Sequence, residues 1–191
     1  MKIILDNGHG QETAGKRSPV WPDGSQLFEY EFNRDIVKQI TAGLDYAEIQ
    51  AEILVPELID ISLPERVRRV NELSKTEDCL LISVHANAGG GTGWEVWTSP
   101  GQTKSDEYAS VFFEEATKLL DFPMRKDTSD GDMDKEARFY ILTHTVCPAV
   151  LTENLFMDTR KDCIYLMSET GRKIISDLHI NAIKKIYHGT K

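Results

Sequence analysis

The sequence predicts an α/β fold with one mostly parallel, twisted sheet and helices on both of its faces. Patterns typical of strands and helices alternate from one end of the chain to the other. The 191 residues, 40% of them hydrophobic, are enough for one sizeable core and few for two. Neither a repeat nor a linker interrupts the chain. We therefore expect a single domain that spans residues 1–191.

The N-terminal half is predicted to start with a strand over residues 1–6. Residues 11–27 combine Gly, Pro, Ser and charged residues without periodicity, which predicts a long loop. An amphipathic helix follows, because large apolar residues recur at every fourth position. These residues are Phe28, Phe32, Ile36, Ile40 and Leu44. A second strand is predicted over 49–55, and Ser62-Leu63-Pro64-Glu65 predicts a helix start with a capping box.

The C-terminal half is predicted to hold the central strand, over 79–84, and the next strand, over 94–98. Glycines at 89–93 connect them without the spacing of a phosphate-binding loop. A short apolar strand over 149–152 lies between two amphipathic helices. The apolar residues that define these helices are Tyr108, Val111, Phe112, Ala116 and Leu119 in one, and Ile175, Leu178, Ala182, Ile183 and Ile186 in the other.

Two charged segments are assigned no chemistry. Arg66, Arg68 and Arg69 are interspersed with acidic residues, which predicts a solvated helix face. Residues 121–137 carry five aspartates, but their spacing around Gly131 does not suit a calcium-binding loop. We expect this second segment to be a solvated loop or a loop that covers a site.

Composition and charge exclude several classes of partner. The net charge of −9, from 22 basic and 31 acidic residues, disfavours nucleic acid and anionic surfaces. No apolar run approaches the roughly 18–20 residues that span a bilayer, so we expect no membrane insertion. A strand begins at once at Met1, which predicts synthesis in the cytoplasm without a signal peptide. The three cysteines, an odd number without paired spacing, indicate reduced thiols.

Two histidines occur in equivalent positions and predict a metal site. His9 and His85 each follow a short apolar run that indicates a buried strand, and Glu153 follows a third. The carboxyl ends of parallel strands meet at one edge of a sheet, where ligands bind. Catalytic zinc takes three nitrogen or oxygen ligands and keeps one position open. Glu29, in the first turn of its helix, is the best candidate for the third ligand. Taken alone, it could instead be an acidic residue that stabilises the helix by interacting with the positive end of the helix dipole.

Four motifs together resemble one family of enzymes. They are Asp6-Asn7-Gly8-His9-Gly10, Glu29 followed by Asn33, Ser83-Val84-His85-Ala86-Asn87-Ala88, and Pro148-Ala149-Val150-Leu151-Thr152-Glu153. Their order and strand context, over nearly the whole chain, resemble the zinc-dependent N-acetylmuramoyl-L-alanine amidases of the Amidase_3 type. Two positions depart from the family, since Asn7 replaces the usual Pro and Asn154-Leu155-Phe156 replaces the usual Leu-Gly-Phe. Thr152, Asn154 and residues 139–142 look more like stand-alone phage and prophage endolysin-type amidases.

The resemblance implies that His9, Glu29 and His85 bind one zinc ion and that Glu153 is catalytic. The implied reaction is hydrolysis of the peptidoglycan amide bond between the lactyl group of N-acetylmuramic acid and L-alanine of the stem peptide. Zinc would activate the water, and Glu153 would act as general base and then as general acid. Glu153 could alternatively orient His9 or His85 without touching the substrate.

Other functions stay open at this point. A zinc exopeptidase acting on stem peptides would use the same ligands, and a catalytically silent peptidoglycan-binding module could keep the fold alone. Phage or prophage lysis and wall remodelling are both compatible with the sequence. We expect a monomer that reaches the cell wall after release by an unidentified route. Arg138 could hold a stem-peptide carboxylate or be a surface residue, and Trp21, Trp94 and Trp97 could stack on sugars or pack in the core.

Overall fold

A six-stranded, mixed sheet forms the centre of the fold. The computed structural model of the chain describes residues 1–189, so the last two residues of the predicted 1–191 domain lie outside the described part. The strands are β1 (Lys2–Asn7), β2 (Ala51–Ile53), β3 (Cys79–Asn87), β4 (Glu95–Thr98), β5 (Lys135–Glu136) and β6 (Ala149–Phe156). Their order across the sheet is β2-β1-β3-β6-β4-β5.

Four of the strands are parallel, which confirms the prediction of a mostly parallel sheet. β2, β1, β3 and β6 run in one direction. β4 runs antiparallel to β6, and β5 pairs parallel with β4. Antiparallel strands at the edge of a parallel sheet are common in folds of this class.

Helices cover both faces of the sheet, as predicted. They are α1 (Glu29–Tyr46), α2 (Leu63–Leu73), α3 (Lys104–Leu119), α4 (Tyr140–Thr143), α5 (Arg160–Met167) and α6 (Glu169–Gly189). α1, α3 and α6 build the larger core on one face, and α2 and α4 build the smaller core on the other. Within residues 1–189, no helix combines the length and apolar character needed to cross a membrane.

Alternation of side chains along the strands divides the core between these two faces. On β1, Ile3 and Leu5 are fully buried in the larger core, whereas Ile4 belongs to the smaller one. Asp6 points to the same face as Ile4, because residues two apart share a face. The smaller core therefore borders the buried carboxyl group of Asp6.

Two predicted strands are longer than the sequence indicated. β6 continues beyond Thr152 to Phe156, and β3 continues to Asn87. Glu153 pairs with His85 on one side and with Glu95 on the other, so the strand is held by neighbours on both edges. The prediction that Glu153 stands at the end of a strand is thus wrong in detail, although it lies in the carboxyl-terminal half of β6.

Some local predictions also differ from the structure. The capping box at Ser62 does not form, because Glu65 pairs with Arg68 and Arg69 instead of the helix start. A capping box occurs at α3, between Thr103 and Asp106. β5, α4 and α5 are too short for a sequence period to reveal them. All three cysteines are free thiols, as predicted.

Candidate active site

Two histidines and one glutamate converge at the carboxyl edge of the parallel strands. His9 follows β1, His85 lies near the end of β3, and Glu29 is the first residue of α1. Glu29 Oε1 lies 3.0 Å from His85 Nδ1 and 3.3 Å from His9 Nε2. One potential ligand atom of each residue lies within 4.8 Å of the others. The fold thus brings together the three residues that the sequence suggested as metal ligands.

A tight turn after β1 presents the His9 imidazole. His9 has a φ of 66°, in the left-handed region that non-glycine residues seldom adopt. Gly8 must be glycine, because a Cβ there would lie 2.1 Å from Cε1 of His85. Asn33 Nδ2 donates to the Gly8 carbonyl at 3.0 Å, and Arg34 Nη1 donates to the His9 carbonyl at 2.9 Å. The helix that supplies Glu29 therefore also fixes the turn that carries His9.

Arg66 lies buried beside this turn, so the prediction of a solvated face is wrong at this residue. Its side chain is 2% exposed, and its Nη1 lies 2.5 Å from Asp6 Oδ1. Ser83 Oγ donates to the other Asp6 oxygen at 2.6 Å. Arg66 is buried because it precedes the buried Val70 by one helical turn and shares its face. Arg68, which is 60% exposed, is solvated as predicted.

Glu153 lies on the strand next to His85, directly opposite it in the parallel ladder. The ladder is irregular between His85 and Asn87, immediately after this pair. Glu153 Oε2 is buried and has no hydrogen-bond partner among the described residues. Burial raises the pKa of Glu153 to about 7, and the negative charges of Glu29 and Glu95 add to this effect while His85 opposes it.

Burial and mutual interaction shift the pKa values of the three converging residues. Burial raises the pKa of Glu29, but His85 and His9 outweigh it and hold this pKa well below its usual range. Burial lowers the pKa of His9. Burial also lowers the pKa of His85, but the Glu29 carboxylate beside it reverses this and leaves the pKa raised. Glu29 is therefore an ionised carboxylate held between two imidazoles.

The three side chains fit a tetrahedral metal ion. Ligand atoms around a tetrahedral zinc ion, with bonds of about 2.0–2.2 Å, stand about 3.3–3.6 Å apart. The observed separations of 3.0 and 3.3 Å from Glu29 Oε1 are close to this spacing. His9 Nε2 and Glu29 Oε2 are buried atoms without a hydrogen bond among the described residues, and buried polar atoms normally have partners. Two nitrogen donors and one oxygen donor are a usual set for a catalytic zinc site.

A cavity of about 380 Å³ opens beside these groups. His9, His85 and Glu153 line it on the sheet side. Leu63 from α2 and residues 139–141 at the start of α4 add apolar groups to its lining. A pocket with convergent polar groups and apolar walls is the usual form of a binding site for an organic ligand.

The remaining sequence candidates fall outside this group. Arg138 is exposed and does not line the cavity. Trp94 is fully buried and packs in the larger core, whereas Trp97 is partly exposed and contacts Phe139 with ring centroids 5.3 Å apart. The aspartate-rich loop is not wholly solvated, because Asp134 precedes β5 and is 1% exposed.

Two imidazoles, a carboxylate and the further acid Glu153 at one sheet edge are the kind of groups found in metal-dependent hydrolases. A family model described as N-acetylmuramoyl-L-alanine amidase, Amidase_3, matches residues 3–185, and the chain belongs to this family.

Similar proteins agree with this assignment. The chain is 28% identical to "N-acetylmuramoyl-L-alanine amidase CwlM" of Bacillus licheniformis, over 100% of this chain and 70% of that protein. It is 28% identical to "Endolysin" of Bacillus phage SPP1, over 96% of this chain and 65% of that protein. A crystal structure of an N-acetylmuramoyl-L-alanine amidase from Clostridium difficile 630 shares the fold, with a TM-score of 0.83 and 22% identity over 100% of this chain and 98% of that one.

Proposed function

We propose that this chain hydrolyses the amide bond between the lactyl group of N-acetylmuramic acid and L-alanine in peptidoglycan. His9, Glu29 and His85 hold one zinc ion, and Glu153 transfers the proton. The observation that carries the proposal is the half-buried Glu153, which lines the same cavity as His9 and His85 and whose Oε2 is buried without a hydrogen-bond partner among residues 1–189. Family membership supports the choice of substrate.

The ligand residues provide a site of low net charge for the ion. When bound, zinc supplies polarisation of the scissile carbonyl and lowers the pKa of a water molecule to about 7. Glu29 contributes a negative charge, and the two imidazoles contribute neutral nitrogen donors once they lose their protons. Arg34 and Asn33 keep the His9 turn in place while the ion binds.

Glu153 is suited to move a proton in both directions. A general base works best when its pKa lies near the operating pH, and burial raises the pKa of Glu153 to about 7. The carboxylate first accepts a proton from the attacking water. It then donates this proton to the L-alanine nitrogen, so that the stem peptide leaves as a neutral amine.

Glu153→Gln tests this role directly. The variant keeps the shape of the side chain but cannot accept a proton, so we expect it to retain zinc and to lose about 10²–10⁴ in rate. New amino-terminal L-alanine groups, released from purified peptidoglycan, measure the rate, and elemental analysis measures the zinc. Glu169→Gln, at an exposed position of α6, is the matched control and should behave as wild type.

Two results would contradict the proposed role. Wild-type activity in Glu153→Gln would remove Glu153 from the reaction. Loss of zinc together with activity would show that Glu153 orients the ligands instead of transferring a proton.

A further inference from the structure

A second polar cluster lies on the strand next to Glu153. Glu95 on β4 is the antiparallel partner of Glu153, and paired residues of neighbouring strands point to the same sheet face. Lys135 lies on β5, the next strand outward. Arg125 lies alongside the start of β4, where its main-chain N–H donates to the carbonyl of Trp94 at 2.8 Å. The cluster therefore adjoins the candidate site, outside the 380 Å³ cavity.

Glu95 is a buried carboxylate whose hydrogen-bonding capacity is filled. The residue is 3% exposed. Its Oε2 accepts from Arg125 Nε at 2.8 Å and from Lys135 Nζ at 3.1 Å. Its Oε1 accepts from Asn87 Nδ2 at 2.7 Å and from Trp97 Nε1 at 3.1 Å. Burial raises the pKa of Glu95, but the bonds from Arg125 and Lys135 outweigh it, so the carboxylate is ionised.

Two cations pair with this one carboxylate, and the exposed Asp127 also interacts electrostatically with Lys135. Both cations remain accessible, since the Arg125 side chain is 40% exposed and that of Lys135 is 22% exposed. Only Nε of the Arg125 guanidinium bonds to the described residues, which leaves Nη1 and Nη2 as available donors within residues 1–189.

Neighbouring aromatic rings hold both cations in place. The Arg125 guanidinium lies 5.0 Å from the centre of the Phe156 ring, and the Lys135 ammonium lies 4.7 Å from that of Trp97. Cations over the face of an aromatic ring are attracted to it electrostatically. Arg125 and Lys135 are therefore fixed in position by groups that do not consume their remaining donors.

We propose that Arg125 and Lys135 form a subsite that binds a free carboxylate of the stem peptide, with Glu95 as the residue that positions them. This subsite rests on the proposed amidase function, which places the stem peptide beside Glu153. The planar pair of N–H groups on a guanidinium matches the two oxygens of a carboxylate, and the ammonium adds a second charge. Among residues 1–189 no buried acid pairs with Arg138 in this way, so the structure favours Arg125 and Lys135 over that sequence candidate.

Binding of a stem tripeptide, with its carboxylates either free or amidated, tests the subsite by calorimetry. We expect wild type to bind the free acid at least about tenfold more tightly than the amide. Arg125→Gln and Lys135→Met should each weaken binding of the free acid by about tenfold to a hundredfold and leave binding of the amide unchanged. Each single variant leaves Glu95 with one cation, so the buried charge stays paired. Lys126→Met, at the neighbouring exposed lysine, is the control and should bind as wild type.

Several results would overturn the subsite. One such result is that wild type binds the free acid no more tightly than the amide. This result is a real possibility for the test, because the net charge of −9 by itself favours binding of the uncharged amide. Equal weakening of both peptides by the variants, or no detectable binding of the free acid at millimolar concentration, would overturn the subsite as well. The comparison of the two peptides on wild type depends neither on catalytic activity nor on the folding of a variant. Cleavage of the muramoyl amide, measured separately on the same preparations, reports on the proposed function itself.

Discussion

Replacing Arg66 with Met removes a buried guanidinium and keeps most of the side-chain volume. Asp6, which is 2% exposed, would then retain the hydroxyl of Ser83 as its remaining side-chain partner. The carbonyl of Ile61, which accepts from Arg66 Nε at 2.7 Å, would lose that donor too. Removing one partner of a buried ion pair costs about 3–5 kcal/mol, because the other charge stays buried without compensation. We expect this loss in the free energy of unfolding.

Urea unfolding of wild type and Arg66→Met, monitored by circular dichroism, measures the loss. Arg68→Met removes an arginine from the same helix at a position that is 60% exposed, so it should cost at most about 1 kcal/mol. The double variant Asp6→Asn with Arg66→Met should recover part of the loss, because no unpaired charge remains. A change below about 1 kcal/mol in Arg66→Met would refute the reasoning, since Asp6 would then not depend on Arg66.

Three further predictions concern the metal and pH. His9→Ala and His85→Ala should each abolish stoichiometric zinc in elemental analysis, and an unchanged zinc content in either variant would contradict the ligand assignment. Free zinc at a hundredfold excess over its Kd should raise the free energy of unfolding of wild type by about 2.7 kcal/mol, and thermal unfolding should show no such effect in His9→Ala. Burial lowers the pKa of His179 to about 4 from its ordinary 6.5, so the unfolded chain binds this proton first as pH falls. The free energy of unfolding of wild type should therefore fall by up to about 3 kcal/mol between pH 6.5 and pH 4. His179→Gln should not show this loss. The same pH dependence in both proteins, measured by urea unfolding, would contradict the assignment to His179.

The sequence is sufficient to predict the long elements of the fold. α1 has a regular apolar stripe, and β1 and β3 each contain a short apolar run, so the hydrophobic pattern identifies all three. The ends of strands are harder to predict, because pairing with neighbours decides them. β6 continues through Glu153 since β3 and β4 bond to it on both sides, and neither neighbour is visible from local sequence.

The two histidines of the site meet because their strands are neighbours in the sheet. His9 follows β1 and His85 lies near the end of the adjacent parallel strand β3, so their meeting at one edge was predictable from the fold class. Buried ion pairs were not predictable in the same way, because Arg66 and Asp6 come from distant parts of the sequence. The position of Glu95 could have been noticed in the sequence, since this acidic residue lies between the apolar Trp94 and Val96 in the strand predicted over 94–98.

Mass spectrometry of purified peptidoglycan, digested by the zinc-loaded chain, tests the amidase function most directly because it identifies the bond that is cut. We predict intact stem peptides that begin with L-alanine, together with glycan strands that keep their lactyl groups. A chelated sample should give neither product. Shortened stem peptides would contradict the account and indicate a peptidase, and no new products from a chain that still binds zinc would indicate a binding module.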